Sequence, residues 1–400
     1  MLDGPFAPWP NFTAEEADAV SRVLLSNRVN YWTGQEGREF EKEFATFARA
    51  NHAVALANGT LALDLALHGL GIGSRNGGAE SDEVIVTPRS FMASVSCVLN
   101  AGARPVFADV DAESQNITFV TVEPHITKQT RAVICVHLAG WPCDMDGLKA
   151  LADHYDIKLI EDCAQAHGAL YKGRPVGGLG DVAAWSFCQD KIMTTGGEGG
   201  MVTCNDENIW RRMWAFKDHG KSYEAVYERD HAPGFRWLHE SVGTNWRMTE
   251  MQAVIGRIQL KRMPCWTLQR GANADALAET LAPWSGPDGF LHLPDFNAEA
   301  AQGSRHANYK FYAFVRPDHL PDGATRDAVI AEIVAQGLPC MQGSCSEIYL
   351  EKAFDGLDLR PAHPLPIAKR LGETSLMFVC HPGVHKVDID LSKGGELAAA

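Results

Sequence analysis

The spacing of apolar residues changes near residue 50 of this 400-residue chain. Before that point, residues 14–25 and 36–49 repeat apolar side chains at helical spacing, and Thr13 with Glu16 has the capping-box spacing of a helix start. After it, short β-branched and apolar runs alternate with helical stretches. This alternation predicts an α/β fold with a largely parallel sheet, whose ligand site lies beyond the carboxyl ends of the strands.

The alternating region divides into elements that can be bounded from the pattern. The predicted strands are residues 52–56, 83–86, 105–108, 132–136 and 158–160, and the predicted helices are residues 60–70, 91–101 and 144–156. A further helix over 249–263 is followed by Pro264, which predicts its end. We therefore expect a large domain of residues 1–265 with an N-terminal helical arm. Residues 266–400 are expected to form a small α+β domain with a strand at 309–315 and a helix at 326–336.

Composition narrows the class of protein. The chain is 46% hydrophobic and 22% charged, with a formal net charge of −14, which argues against nucleic acid or anionic lipid as a partner. Its ten cysteines are scattered without a C-x-x-C pair, and no apolar run reaches the ~20 residues of a membrane span. A cytoplasmic enzyme is therefore expected. Residues 394–400 are read as a natural tail or an expression leftover and are left out of fold reasoning.

Two polar side chains follow the predicted strand at 158–160. Asp162 and Gln165 lie where an α/β sheet presents its ligand site. A carboxylate at such a site suits a cationic partner, and the protonated pyridine nitrogen of pyridoxal phosphate (PLP) is one such partner. Taken alone, an aspartate at a strand end is more often a turn cap.

A single lysine stands between an apolar run and a glycine-rich turn. The segment 185–200 reads W-S-F-C-Q-D-K-I-M-T-T-G-G-E-G-G, with Lys191 at its centre. A lysine that forms a Schiff base needs a partly desolvated seat with room for a flat cofactor, and the glycines would allow close approach. Lys191 is therefore the candidate catalytic residue.

Two further strand ends supply what a phosphorylated aromatic cofactor needs. Asn58, Gly59 and Thr60 open a predicted helix, whose free N–H groups and the Thr60 hydroxyl could hold a phosphate. Phe91 follows the strand at 83–86 and could stack on a planar ring. Because each candidate falls at the same edge of one sheet, their conjunction predicts a PLP enzyme.

These residues resemble the DegT/DnrJ/EryC1/StrS family of nucleotide-sugar aminotransferases, which have the PLP-dependent fold type I. The resemblance covers most of the chain and rests on these segments: Asn58-Gly59-Thr60, Thr87-Pro88 with Phe91, Val136-His137-Leu138, Glu161-Asp162 with Gln165, Ser186-Phe187 with Lys191, Gly197-Glu198-Gly199-Gly200, and Asn245 with Arg247-Met248. It implies a large domain with a mostly parallel, seven-stranded type of sheet and a smaller C-terminal domain.

The resemblance also implies roles for individual residues. Lys191 would carry PLP, Asp162 would pair with the pyridine nitrogen, Gln165 would bind the ring hydroxyl, and Phe91 would stack on the ring. The phosphate would be held by Gly59, Thr60 and Ser186, joined by Asn245 from the neighbouring subunit of a homodimer with shared active sites. L-glutamate would donate an amino group to PLP, and the pyridoxamine form would then aminate a keto group on a nucleotide-linked sugar. No metal is implied.

Departures from the family pattern leave the substrate contacts open. The loop at 73–82 is longer than the family's, the chain after His381 lacks the expected closing helix, and residues 221–242 form a long polar and aromatic loop. We predict that this loop and its surroundings hold the nucleotide sugar, with ordinary dimer packing as the alternative. The candidate contacts are His219, Arg229, Arg236, Trp237 and Arg247.

Other functions remain as alternatives. Some family members use PLP to deoxygenate the sugar and carry histidine in place of the lysine, and Lys191 argues against that dehydratase branch. A PLP-binding sensor without turnover is a second alternative. A serine or metal hydrolase finds little support, because the chain has no G-x-S-x-G segment and no H-E-x-x-H spacing.

Overall fold

The structure is a computed structural model that describes residues 6–231, 233–234 and 236–391. Phe235 of the long loop and the tail at 394–400 lie outside the described residues. The helices are α1 Ala14–Leu25, α2 Glu36–Ala48, α3 Gly59–Leu70, α4 Ala93–Asn100, α5 Phe119–Val122, α6 Met145–Tyr155, α7 Glu207–Lys217, α8 Tyr223–Tyr227, α9 Glu250–Leu281, α10 Asn297–Ala301, α11 Arg326–Ala335 and α12 Pro366–Thr374. The strands are β1 His52–Leu56, β2 Glu83–Val86, β3 Arg104–Phe107, β4 Thr130–Val136, β5 Lys158–Asp162, β6 Leu170–Tyr171, β7 Arg174–Pro175, β8 Val182–Ser186, β9 Gly200–Cys204, β10 Leu291–His292, β11 Lys310–Val315, β12 Cys340–Met341 and β13 Ser375–Val379.

A seven-stranded sheet with the order β1-β9-β8-β5-β4-β2-β3 forms the centre of the molecule. Strands β8, β5, β4, β2 and β3 pair in parallel, and only β9 runs antiparallel to its neighbours β8 and β1. The predicted α/β fold with a mostly parallel sheet is confirmed. Strand β9 was not predicted, and β8 was indicated only as the apolar run before Lys191, without bounds.

Helices cover both faces of this sheet and so bury its strands on both sides. One apolar cluster joins α2, α6 and one face of the sheet, with Phe40, Phe44 and Trp185 at its centre. The other joins α3, α4 and α7 to the opposite face. Parallel strands that are covered in this way open only at their ends, so their carboxyl edge becomes the available ligand site.

A smaller antiparallel sheet with the order β10-β11-β13-β12 follows in the C-terminal part of the chain. It packs with α11 and the C-terminal half of α9 around a third apolar cluster, which includes Leu277, Leu281 and Phe378. The α+β character predicted for this region matches these elements. Among the described residues, none of the helices has the length and apolar composition that crossing a bilayer requires.

Helix α9 is much longer than the sequence pattern suggested. The predicted helix end at Pro264 is wrong, because α9 continues through Pro264 to Leu281. Proline removes one N–H group from the hydrogen bonds of the helix. Packing of the helix before and after Pro264 outweighs this loss, because Met263 is buried in the core of the large sheet and Leu281 in the third cluster. The domain boundary near residue 265 stays a prediction, and it falls inside α9.

Candidate active site

The carboxyl ends of β5 and β8 and the start of α3 surround a cavity of about 650 Å³, here called the cofactor cavity. Seven of the predicted cofactor residues line it: Gly59, Thr60, Phe91, Asp162, Gln165, Ser186 and Lys191. They come from segments far apart in sequence, and the sheet topology brings them together. The expected meeting of these residues at one sheet edge is therefore what the structure shows.

Lys191 lies in the turn between β8 and β9, with its side chain 16% exposed. Its Nζ is 3.9 Å from Oδ1 of Asp190 and 5.1 Å from the centre of the Tyr309 ring. The Tyr309 hydroxyl donates a hydrogen bond to Asp190 Oδ2, and Trp9 Nε1 donates to the Lys191 carbonyl at 2.8 Å. These contacts hold the amine at the edge of the cofactor cavity with limited access to water.

Asp162 ends strand β5 and is only 4% exposed. Burial raises the pKa of its carboxyl group, whereas the hydrogen bond from Ser94 and the nearby Lys191 act to lower that pKa. The Ser94 hydroxyl donates to Oδ2 at 2.7 Å, and the Ala164 N–H donates to Oδ1 at 3.1 Å. A buried carboxylate with two donors suits a protonated ring nitrogen, because the cation would offset the cost of burying the charge.

Ser94 also lines the cofactor cavity and contacts Asp162, although the sequence pattern did not indicate it. It lies inside α4, where a serine has no distinctive local signal, and its hydroxyl also contacts Ser90 Oγ at 3.0 Å. The spacing of Ser90 and Ser94 by one helical turn, directly after a strand end, is the signal that could have drawn attention to it.

Gln165 is held with its amide in one orientation. Its Oε1 accepts a hydrogen bond from the Ala139 N–H at 2.7 Å. Ala139 has φ of 56°, a left-handed conformation that non-glycine residues adopt rarely. Because the oxygen is used in this way, the amide nitrogen is left as the hydrogen-bond donor at the cofactor cavity.

A small concave surface at the start of α3 fits a phosphate. Asn58 caps this helix, accepting from the Leu61 N–H at 3.0 Å, so the N–H groups of Gly59 and Thr60 have no partner within the helix. A Cβ atom on Gly59 would lie 2.5 Å from the Cβ of Ser186. Glycine is therefore required for the helix start and Ser186 to approach this closely.

Taken together, the cofactor cavity has the groups that PLP requires: an amine, a buried carboxylate, an amide donor and a phosphate cradle. Phe91 is 69% exposed at the cavity edge, so its ring has a face that a planar cofactor could cover. The residues present fit the cofactor.

Asn245 does not line the cofactor cavity of its own chain. It is exposed, and its backbone forms an antiparallel β-bridge with that of Asp218. The Asp218 side chain forms an ion pair with Arg247, with 2.5 Å between Oδ1 and Nη1. His219 is exposed too, with φ of 58°. A role for Asn245 in a neighbouring subunit stays a prediction, as do roles for His219 and Arg247 in substrate binding.

The loop at 221–242 folds back on itself and contains α8. The two ends of the loop are joined by an antiparallel backbone β-bridge between Lys221 and His239. Arg229 forms ion pairs with Glu224 at 3.0 Å and Glu240 at 2.8 Å, so its charge is already balanced within the loop. Arg236 is exposed, and Trp237 is 90% exposed. Neither these two nor Arg229 lines the cofactor cavity in this chain, and their predicted role in nucleotide-sugar binding stays a prediction.

His137, Glu161 and Cys163 lie beneath the cavity with potential metal-binding atoms within 4.8 Å of one another. The protein already uses the atoms of Glu161 and His137. Glu161 accepts from His137 Nε2 at 3.1 Å and from three backbone N–H groups, those of Gly177, Leu179 and Gly180. His137 Nδ1 accepts from the Cys143 N–H at 3.0 Å. The group is a buried hydrogen-bond network that supports the end of β5.

Comparison with known proteins points to one family. The sequence model of the DegT/DnrJ/EryC1/StrS aminotransferase family matches residues 10–391. A dTDP-3-amino-3,4,6-trideoxy-alpha-D-glucose transaminase from Streptomyces venezuelae is 38% identical over 380 residues, which are 95% of this chain and 90% of that protein.

Solved structures agree with the sequence comparison. The X-ray structure of an aminotransferase from Psychrobacter cryohalolentis superposes with a TM-score of 0.91 at 60% identity, covering 99% of this chain and 97% of that one. The S. venezuelae protein DesV, solved in complex with a ketimine intermediate, superposes with a TM-score of 0.78 at 32% identity, covering 96% of this chain and 93% of that one.

Proposed function

The chain belongs to the DegT/DnrJ/EryC1/StrS aminotransferase family, and on this basis we propose that it transfers an amino group from L-glutamate to a keto group of a nucleotide-linked sugar. The family and the aminotransferase activity predicted from the sequence are confirmed. The donor, the sugar nucleotide and the site residues are the parts of this proposal that the following observations support.

The observation that carries the proposal is the place of Lys191 among its neighbours. Its amine reaches the cavity that also contains Asp162, Gln165 and the helix start at Gly59. A lysine, unlike a histidine, is a primary amine that can exchange covalently with an amino substrate and also carry a proton. This favours amino transfer over the dehydratase alternative.

PLP, when bound, withdraws electrons from the substrate carbon next to the amino group. The carboxylate of Asp162 would maintain the positive charge on the ring nitrogen on which this withdrawal depends. The amide nitrogen of Gln165 would orient the ring, and the N–H groups of Gly59 and Thr60 with the Ser186 hydroxyl would hold the phosphate. Lys191 Nζ would take a proton from one carbon and return it to another, as amino transfer requires.

A second cavity of about 590 Å³, here called the substrate cavity, adjoins the cofactor cavity. The two share Phe91, Gln165 and Lys191, and the outer wall of the substrate cavity comes from residues 341, 343–345 and 348 near the small sheet. We assign the keto sugar to this space, because a sugar placed there would meet the Lys191 amine.

The proposal extends to assembly and location. Asn245 is exposed and lies outside the cofactor cavity of its own chain, which supports a homodimer in which it completes the phosphate site of the other subunit. The enzyme would act in the cytoplasm, and neither nucleic acid nor a membrane would be a partner. A PLP-binding sensor without turnover is the remaining alternative function.

Two measurements test this proposal. Lys191→Ala should abolish the absorbance band of covalently held PLP, while Lys261→Ala, an exposed lysine on α9, should retain it. Wild-type enzyme loaded with PLP should change its spectrum on adding L-glutamate and regain it with one of the UDP-, GDP- or dTDP-linked keto sugars. A band retained in the Lys191 variant would overturn the assignment of the lysine, and an unchanged spectrum with glutamate would favour the sensor.

A further inference from the structure

Arg270 is a buried cation without an adequate partner. Its side chain lies on α9 and is 1% exposed, and its Nε and Nη2 have no hydrogen-bond partner among the described residues. Its Nη1 makes one long hydrogen bond of 3.3 Å to the Asn308 carbonyl, and its guanidinium carbon lies 5.0 Å from the Trp9 ring centre. Burial lowers the pKa of Arg270 to about 10, so the group remains a cation at neutral pH. A buried cation that has one long hydrogen bond and no anionic partner among the described residues is costly, which indicates a missing anion.

Arg270 lines a third cavity, of about 530 Å³, here called the arginine cavity. Trp9, Asp190, Tyr309 and Lys310 are also part of its wall. Asp190, Tyr309 and Lys310 line the substrate cavity as well, so the two cavities adjoin at the residue that precedes Lys191. A ligand in the arginine cavity would therefore lie next to the substrate cavity, whose wall includes Lys191.

Charge in this region is positive in excess. Lys310 Nζ lies 4.9 Å from the centre of the Tyr309 ring, and Lys191 Nζ lies 5.1 Å from the same point. Among the described residues, Asp190 is the one acidic residue in the wall of the arginine cavity, and its Oδ1 lies 3.9 Å from Lys191 Nζ. The single Asp190 carboxylate faces three cations, Lys191, Lys310 and Arg270, so positive charge is in excess here by two. Burial lowers the pKa of Lys310, and the charge of Asp190 offsets only part of that effect.

We propose that the arginine cavity binds the carboxylate groups of the dicarboxylic amino donor and of its 2-oxo acid product, with Arg270 and Lys310 as the cationic contacts. Two cations match two carboxylates, and the planar guanidinium offers Nε and Nη2 as a parallel pair of donors to one of them. This inference rests on the proposed function, and it adds the residues that select glutamate.

Glutarate tests the binding site without requiring catalysis, because it has the two carboxylates of glutamate but no amino group. Titration calorimetry on the PLP-loaded enzyme should detect glutarate binding in the wild type. Arg270→Met should weaken this binding by about 10- to 100-fold, the range expected for loss of a charge-assisted hydrogen bond. The affinity of Arg270→Lys for glutarate should lie between those of the wild type and of Arg270→Met. Lys310→Met should also weaken glutarate binding. Lys261→Met, which removes an exposed charge from the same helix, should bind glutarate as the wild type does.

A purely structural role for Arg270 predicts a different result. If the arginine only supports the fold, Arg270→Met should lower the thermal midpoint and leave glutarate binding unchanged in the folded fraction. We expect the midpoint to stay within a few degrees, because the substitution leaves only the Asn308 carbonyl without its donor. If that variant does not fold, Lys310→Met and Arg270→Lys decide the question by the same titration.

Failure of the inference and failure of the proposed function give distinct results. If glutarate binding depends on Arg270 but glutamate does not change the spectrum, the arginine cavity binds dicarboxylates and glutamate is not the amino donor. If glutamate changes the spectrum but neither the Arg270 nor the Lys310 substitution alters glutarate binding, the proposed function is supported and the proposed carboxylate site is wrong. If the Arg270 substitution weakens only nucleotide-sugar binding, Arg270 contacts the phosphates of the nucleotide sugar, and the proposed carboxylate site is again wrong.

Discussion

At the scale of single residues, the charge on Asp162 depends on a neighbour that lies on another element. Ser94 and Asp162 are separated by 68 positions in sequence, yet their side chains form a 2.7 Å hydrogen bond. Burial favours the neutral carboxylic acid, and the Ser94 hydroxyl favours the carboxylate. Under the proposed function, only the carboxylate can stabilise a protonated ring nitrogen.

We therefore predict that Ser94→Ala slows the reaction with glutamate about tenfold and moves the acidic limb of its pH–rate profile to higher pH. Asp162 must be ionised to act, and its already raised pKa rises further without the hydroxyl, so activity is lost at a higher pH as the solution is acidified. Stopped-flow rates between pH 5 and 9 measure both effects. Ser90→Ala is the control, since its Oγ contacts Ser94 rather than Asp162. An unmoved limb in Ser94→Ala would show that the hydroxyl has no electrostatic role.

At the scale of elements, α9 connects the two sheets. Its first half packs against α1 and α2, and its second half enters the core of the small sheet. Arg270 and its cavity depend on this continuity, because a helix that ended at Pro264 would not place residue 270 beside Tyr309.

Pro264→Ala tests the continuity of α9. Pro264 is exposed and lies inside the helix, so alanine would restore one N–H group to the ladder without disturbing the core. We expect stabilisation of about 1–3 kcal/mol, seen as a higher thermal midpoint.

Gly271→Ala is the matched variant, since the added Cβ would have no atom of another part of the structure within 4 Å. It should stabilise by about 0.5–1 kcal/mol. Destabilisation by Pro264→Ala would indicate a bend that the proline maintains.

At the scale of the whole molecule, one buried histidine makes the fold sensitive to acid. His167 is fully buried against the rings of Trp185 and Phe187, and neither of its nitrogens has a hydrogen-bond partner among the described residues. Burial, together with the charges of Lys191 and Arg270, lowers the pKa of His167 to about 3. The unfolded chain takes up this proton near pH 6.5 and the folded chain does not, so stability present above pH 6.5 is lost as pH falls.

His167→Leu should remove this part of the acid sensitivity. The wild type should lose up to about 1.4 kcal/mol per pH unit below pH 6.5 from this group, and the variant should not. Chemical denaturation of the cofactor-free protein at pH 7.0, 6.0 and 5.0 measures the difference. The exposed His154→Leu should keep the wild-type slope. Equal slopes in His167→Leu and the wild type would contradict the buried, neutral state of His167.

Much of the architecture is determined by the sequence itself, because the signals are local. The apolar runs at β1 and β2 and the capping box at Thr13 act over a few residues, and the structure places these elements where the pattern put them. The sequence also predicted that Lys191, Asp162 and Gly59 lie close together, because the ends of strands in one parallel sheet meet at one edge. The three residues line the cofactor cavity.

Only the tertiary structure decided the remaining features, because they depend on contacts between distant segments. The antiparallel position of β9 between β1 and β8, the path of α9 through Pro264, and the hydrogen bond from Ser94 to Asp162 have no local signature. Arg270 is the clearest case. In the sequence it is one charged residue of a helix. That its Nε and Nη2 have no hydrogen-bond partner among the described residues matters only because burial removes water from the guanidinium group.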